Sequence, residues 1–312
     1  MGSIAILGFG AEGRSILTFL KSERDYRGAE ITILDRSETL KVPGGIKAVL
    51  GPDYLAHLTD FDLVFRSPGV PYNIPEIQKS IKYGVQFSSV TKLFFERAKG
   101  TIIGITGTKG KGTTATLLYE IMKTRKQENK KTNVFLAGNI GIPAITLLPK
   151  LNKKSITILE LSSFQLQDLE TAPHIAVVLD IFPDHLDAHV DFEEYVAAKS
   201  SIAKFQKSED VIFYAADTTH ARMIARQSPG KQIAVSSQHF SLFSPSDLRI
   251  AGAHNFKNAV MAATVAKHYG ASDSTIVNVV KKFRGLPYRL QLTRTIRDKK
   301  TGGIIQCIND SA

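Results

Sequence analysis

Thr101-Ile-Ile-Gly104-Ile-Thr-Gly107-Thr-Lys-Gly110-Lys111-Gly-Thr113-Thr114 decides how this chain is read. Branched apolar residues over 101–105 predict a buried strand, and a helix is predicted from 113 to about 123. Between them lies a loop of glycine, threonine and lysine. In such a strand–loop–helix the backbone N–H groups surround phosphate oxygens at the positive end of the helix, and Lys111 can neutralise the terminal phosphates. The strict phosphate-loop pattern asks for glycine where Ile105 stands, Gly104 being one place early, and for a hydroxyl where Gly112 stands. Thr113 is the nearest substitute for that hydroxyl. Thr108, Lys109, Gly110, Lys111, Gly112 and Thr113 therefore form a candidate nucleotide cradle.

On the C-terminal side, strands are predicted at 132–136, 155–160, 175–179 and 211–214, with helices at 191–205, 255–269 and 274–283. On the N-terminal side, strands at 4–7, 31–34 and 63–65 alternate with helices at 14–21, 74–83 and 90–98. Alternation of this kind implies parallel sheets. The fold class is α/β: a Rossmann-like domain (1–98), a central P-loop-type parallel-sheet domain (99–285), and a short segment (286–312) that reads as a β-hairpin stub. A lone hairpin is marginal in water, so the stub must dock on the body or belong to a further domain.

A second glycine turn, Gly8-Phe-Gly10-Ala-Glu-Gly13, follows the first strand and opens a helix, and Asp35 ends the next strand. These are the parts of a dinucleotide-binding turn, in which the acid accepts a ribose hydroxyl. A nicotinamide-dependent dehydrogenase is one reading, and a turn that only packs strand on helix is another. Glu12 sits awkwardly in a phosphate nest, because its carboxylate repels the ligand unless it turns outward.

Forty Lys and Arg against 29 Asp and Glu give a formal charge of +11, which suits nucleic acid, an anionic surface or polyanionic small substrates. The chain has no zinc spacing, no RNA-reading aromatic motif and no Trp, so nucleic acid is not expected as a partner. No apolar run reaches about 18 residues, so no membrane span is expected. The apolar start lacks a basic front, and Ile6 stands where a myristoylation motif needs Ser or Thr. A single cysteine, Cys307, fits a reducing compartment, and the expected location is cytoplasmic. A monomer is expected.

Further segments then line up with the phosphate loop. They are Ser67-Pro-Gly69, Gly138-Asn-Ile-Gly141, Glu160-Leu-Ser-Ser-Phe-Gln-Leu166, Asp184-His-Leu-Asp187, His254-Asn255 with Asn258, Gly285-Leu-Pro-Tyr-Arg289 and Ile308-Asn-Asp-Ser311. In this order, and with glycine after the loop lysine, the chain resembles the Mur ligase family, which includes the folylpolyglutamate synthases. The Glu160–Leu166 stretch looks like the branch that adds D-glutamate to UDP-N-acetylmuramoyl-L-alanine. The resemblance implies an ATP- and Mg2+-dependent ligase of peptidoglycan precursor synthesis, working through an acyl phosphate. It implies that Lys111 contacts ATP, that Thr113, Glu160 and His185 hold magnesium, and that Lys199 is carbamylated and ligates a second magnesium. Asn258, Arg289 and Asp310 match positions near adenine and ribose. Gly10, Ala11, Glu12, Asp35, Arg36, Ser67, Pro68, Gly69, Asn139 and His185 match the UDP-substrate site. The family continues with Asp-Ser-Lys and an amino-acid-binding domain where this chain reads Asp310-Ser-Ala312, so a shortened chain that binds substrate without completing ligation is expected.

Each residue also has a plain structural reading. Glu160 can cap a helix, His185 can be a surface-loop histidine, Lys199 can be an exposed helix lysine, and Asn255 and Asn258 can be helix caps. The open alternatives are another Mur-type ligase (muramate–alanine or folylpolyglutamate type), the dehydrogenase, and a non-catalytic nucleotide-binding module.

Overall fold

The structure is a computed structural model that describes residues 2–128, 132–139, 141–286, 291–297 and 303–309. The chain opens with β1 (Ser3–Leu7), α1 (Ala11–Ser22), β2 (Glu30–Asp35), β3 (Lys47–Leu50), β4 (Leu63–Arg66), α2 (Pro75–Lys82), β5 (Gln86–Ser88) and α3 (Val90–Arg97). These strands form a wholly parallel sheet in the order β3-β2-β1-β4-β5. Ile16, Leu17 and Leu20 make the buried face of α1, one turn apart, against Ile4, Ile6 and Ile33 of the sheet. The opposite face packs Ala5, Leu7 and Leu34 under Leu58, Ile77 and Val85.

The second series is β6 (Thr101–Thr106), α4 (Lys111–Glu128), β7 (Val134–Gly138), β8 (Ile156–Glu160), α5 (Ser163–Leu166), β9 (Ile175–Val178), α6 (Phe192–Lys204), β10 (Val211–Ala215), α7 (Thr219–Ala225), β11 (Lys231–Val235), α8 (Ala253–His268) and α9 (Asp273–Lys282). Its sheet is also all parallel, in the order β11-β10-β9-β6-β8-β7. Strands β8 and β9 are buried at every position, as expected for a sheet covered on both faces. One face carries α4, α8 and α9 through Leu117, Leu118, Ile121, Val260 and Ile276. The other carries Leu166, Tyr195, Ile202 and Ile224. Residues 291–297 and 303–309 supply the antiparallel pair β12 (Gln291–Arg297) and β13 (Ile304–Asn309), the two strands of the stub expected from the sequence.

The structure departs from the sequence reading at sheet edges and helix starts. Strands β3 and β11 are edge strands with exposed or half-exposed Lys47, Lys231 and Gln232, so their apolar signal is weak. Strand β5 has three residues and α7 seven, too short for a period to show. Helices α1 and α4 begin at Ala11 and Lys111, not at Arg14 and Thr113, because the glycine turns feed straight into the first helical turn. In each sheet the strand order reverses beside the strand that carries the glycine turn. That is where open parallel sheets leave a crevice at their carboxyl ends.

Candidate active site

The loop after β6 is anchored on three sides. Thr108 donates its backbone N–H to Asp180 O (2.8 Å). Its hydroxyl donates to Phe182 O (2.9 Å), accepts from Phe182 N (2.8 Å) and lies 3.1 Å from the Tyr195 hydroxyl of α6. Burial pushes the Tyr195 phenol up to about 12, which keeps it a donor at neutral pH. The Lys111 ammonium folds back onto Gly107 O (3.1 Å) and Thr108 O (3.0 Å). Gly110 has φ +84°, and a Cβ there would lie 2.2 Å from Asn258 Oδ1. Only glycine fits that position. Asn258 is not a helix cap: it is buried within α8, directly against the loop, and the capping position before Ala253 is Gly252, which has no side chain to cap with.

The loop forms one wall of a cavity of about 880 Å³, which fits a nucleotide-sized ligand. Thr108, Lys109, Gly110, Lys111, Gly112, Thr113, Asn139, Glu160, His185 and Asn258 all line it. Asp180, Asp217 and Ser237 line it too and went unread, because they lie in separate loops with no spacing to connect them. His254, from the His254-Asn255 segment at the start of α8, lines it as well. Arg289 and Asp310 fall outside the described residues.

Glu160, at the end of β8, is 4 % exposed. One oxygen accepts from Asn139 Nδ2 (3.2 Å). The other is buried without a hydrogen-bond partner among the described residues. A buried carboxylate oxygen left unpaired is costly unless a cation completes it. Among the described residues no three His, Cys, Asp or Glu side chains cluster as a metal cage. A hard cation here would take its other ligands from the loop hydroxyl, phosphates and water, as magnesium does. The unpaired oxygen of Glu160 thus fits a hard cation such as Mg2+, with Thr113 on the wall of the same cavity.

Lys199 is 1 % exposed, which overturns its reading as a surface helix lysine. Its amine donates to Gly107 O (3.1 Å) from behind the loop and lies 4.6 Å from the Tyr195 ring centroid. Burial pushes its pKa well below the usual lysine range and nearby Lys111 adds to that, with Asp184 and Glu160 pulling weakly upward. His185 has a left-handed backbone (φ +54°), a half-exposed ring next to Asp184, and a ring contact to Phe164 (5.3 Å). A non-glycine residue held at positive φ needs support from its surroundings.

At the first glycine turn, Gly10, Ala11, Asp35, Arg36, Ser67, Pro68 and Gly69 gather at the carboxyl ends of β1, β2 and β4. Gly13 is required: a Cβ there would stand 2.3 Å from Gly8 O. Asp35 already accepts from Phe9 N (2.7 Å) and Ser37 N (2.9 Å), one bond on each oxygen, so it shapes the turn before it serves any ligand. Ser67 donates to Gly8 O (2.6 Å). Glu12 does not turn outward. It accepts from Gln165 Nε2 (2.9 Å), and its other oxygen is buried without a hydrogen-bond partner among the described residues. Burial raises its pKa against opposing pulls from Gln165 and Arg66. The awkward acid of the first turn is thus a contact to the Glu160–Leu166 corner.

A second contact joins the two halves. The Arg66 guanidinium donates to Val70 O (2.7 Å), Phe164 O (3.0 Å) and Asp168 Oδ1 (3.0 Å), and Lys92 lies 3.2 Å from the other Asp168 oxygen. The Arg66 and Asp168 side chains are 1 % and 2 % exposed.

Compared with known proteins, residues 105–242 match the Mur ligase middle domain, and residues 2–89 match the MurD-like N-terminal domain of Mur ligases. The UDP-N-acetylmuramoylalanine–D-glutamate ligase of Acetivibrio thermocellus is 32% identical over 95% of this chain and 68% of its own length. The chain belongs to the Mur ligase family. The enzyme of the same name from Symbiobacterium thermophilum is 31% identical over 94% of this chain and 69% of its own length. This chain thus spans about two thirds of these relatives. Among solved structures, the murein peptide ligase of Psychrobacter arcticus superposes with a TM-score of 0.58 at 19% identity, covering 99% of this chain and 73% of its own. The MPL ligase of Neisseria meningitides does so at 0.57 and 17%, covering 92% and 99%. Both share the fold. Mur ligases are ATP-dependent, amide-bond-forming enzymes of peptidoglycan precursor synthesis, and each of the two matched domains contains one of the glycine turns. Among the described residues no helix is long and apolar enough to cross a membrane.

Proposed function

We propose that this Mur ligase adds D-glutamate to UDP-N-acetylmuramoyl-L-alanine, with residues 1–98 holding the UDP substrate and residues 99–285 holding ATP and Mg2+. The observation that supports this most is the corner Glu160-Leu-Ser-Ser-Phe-Gln165. Its first residue lines the nucleotide-sized cavity, and its last touches Glu12 in the first glycine turn. A carboxylate substrate whose UDP lies at the first turn is thereby brought toward the phosphates at the second.

In this reading the backbone N–H groups at the start of α4 and the Lys111 ammonium gather charge on the phosphoryl group that moves to the substrate carboxylate. Attack by the D-glutamate amine on the acyl phosphate then forms the amide bond and releases phosphate. Thr113, Glu160 and His185 would hold one magnesium and a carbamylated Lys199 a second, and magnesium when bound would neutralise phosphoryl oxygens as a Lewis acid. Asn258 lies against the loop on the adenosine side, and Asn139 orients Glu160 through its amide.

Lys199 has the environment that carbamylation requires. Only an uncharged amine attacks carbon dioxide, and burial lowers the pKa of this one, which favours the uncharged form. The new N–C bond leaves a carbamate anion and releases one proton. NMR in 13C-bicarbonate is expected to show a carbamate resonance that vanishes in Lys199→Met. A resonance that survives the substitution assigns it to another amine.

The substrate assignment is tested by calorimetric titration of the chain with UDP-N-acetylmuramoyl-L-alanine, with UDP-N-acetylmuramic acid and NAD+ as comparators. Micromolar binding of the alanyl compound, at least tenfold tighter than either comparator, is the expected result. Preference for the compound without alanine moves the assignment to the alanine-adding branch. Binding of NAD+ alone refutes the ligase substrate.

A further inference from the structure

Glu194, in the first turn of α6, is the meeting point of four segments. Its Oε1 accepts from Asn73 Nδ2 (2.9 Å), in the first half of the chain, and from Gln167 Nε2 (2.5 Å), just after α5. Its Oε2 accepts from Val190 N (3.0 Å) and bonds His189 Nδ1 (2.8 Å). The His189 ring is fully buried, and its other nitrogen lies 2.9 Å from Ser163 Oγ, the first residue of α5. The ring stacks on Phe164 at 5.1 Å, and Phe164 in turn contacts the His185 ring. Backbone N–H groups of Ala188 and His189 close a turn onto His185 O, the residue at φ +54°.

Ser163, His189 and Glu194 stand in the spacing of a hydrolytic triad, but Ser163 is 2 % exposed and does not line the nucleotide-sized cavity. The arrangement therefore holds structure and has no access to a substrate. What it holds is the loop 182–190. That loop carries His185 and, through Phe182, the backbone groups that fix Thr108 of the phosphate loop.

We propose that Glu194 and His189 are positioning residues for the metal-nucleotide site. They clamp loop 182–190 between α5 and α6 so that His185 keeps its left-handed conformation on the wall of the cavity that Glu160 and the phosphate loop also line. The inference rests on the ligase reading of that cavity. Neither residue touches nucleotide, metal or substrate. Without the clamp the backbone at His185 relaxes toward ordinary φ, and the metal loses one preorganised ligand while the phosphate loop keeps its own hydrogen bonds to Asp180 O and Gly107 O.

The test uses the full chain, in wild-type form and as Glu194→Gln, His189→Ala and His189→Gln. Adenylyl imidodiphosphate is titrated with and without Mg2+, and amide hydrogen exchange is followed over 182–190 in the unliganded chain. Wild type is expected to bind the analogue at least tenfold more tightly with Mg2+. Glu194→Gln and His189→Ala are expected to lose most of that gain, to keep the metal-free affinity within about twofold, and to exchange at least tenfold faster over 182–190. His189→Gln, whose carboxamide still reaches Ser163, is expected to recover part of both. A purely structural role would lower the melting temperature and leave the Mg2+ ratio intact. An unchanged ratio, or unchanged exchange over 182–190, overturns the proposal. A wild-type chain that binds no analogue overturns the ATP-site reading and the proposal with it.

Discussion

Lys111→Met is expected to weaken binding of an ATP analogue by about 10²-fold, close to 2.7 kcal/mol at about 1.4 kcal/mol per decade, and to leave UDP-N-acetylmuramoyl-L-alanine affinity unchanged. The ammonium rests 3.0–3.1 Å from two loop carbonyls, so it is already at the loop and needs only to turn toward a phosphate. Charge-assisted contacts to phosphate are roughly twice as strong as neutral ones. Methionine keeps the length and loses the charge. Since Lys111 belongs to the second glycine loop and the UDP assignment to the first, the two affinities should separate. Calorimetry on the two ligands in turn checks this. An equal loss of both would mean that the substitution disturbs the fold, and an unchanged ATP-analogue affinity would remove Lys111 from the site.

Asp168→Leu carries the largest expected loss of stability, about 3–5 kcal/mol, the usual cost of removing one partner from a buried ion pair. It leaves the Arg66 guanidinium buried with only two carbonyl acceptors and also strips Lys92 of its carboxylate. The double variant Arg66→Met/Asp168→Leu is expected to regain much of the loss, because no buried charge then lacks its partner. Urea midpoints of the two single variants and the double give the coupling energy. Additive losses would show that the pair contributes nothing as a pair. The pair joins the end of β4, just before Ser67-Pro68-Gly69, to the segment after α5, so a fall in substrate affinity should accompany the fall in stability.

What could be read in the sequence was local. The strand, loop and helix around Gly107–Lys111 announce themselves within 14 residues, because branched side chains, glycines and helix formers each act over one or two turns. So do the first glycine turn and the buried strands β8 and β9. Lys199 could not be placed that way. On α6 it looks like any lysine, and only the phosphate loop lying over it, more than 90 residues earlier, makes it buried. Arg66 and Asp168 are 102 positions apart and carry no shared pattern. Glu12 was noticed as an anomaly, but its partner Gln165 is 153 positions away. The edge strands β3 and β11 escaped because exposed edges favour lysine and glutamine over the apolar residues that mark a strand. The order of the motifs brought the cavity residues together in the reading, and packing explains why that order matters.

The parallel ladder of the second sheet has a consequence for how the molecule is made. Strand β6, which launches the phosphate loop, pairs with β8 on one side and β9 on the other, partners that begin more than 50 and 70 residues downstream. Closing such long loops is slow, and the reward arrives only when both neighbours are in place. During synthesis the glycine–lysine loop leaves the ribosome early, but its sheet neighbours are complete only when residue 178 has followed it, and its cavity wall needs residues as far as Asn258 as well. Nucleotide therefore cannot act as a template for the nascent chain. It can only capture a sheet that has already closed, and the cell must shelter the chain unaided until then.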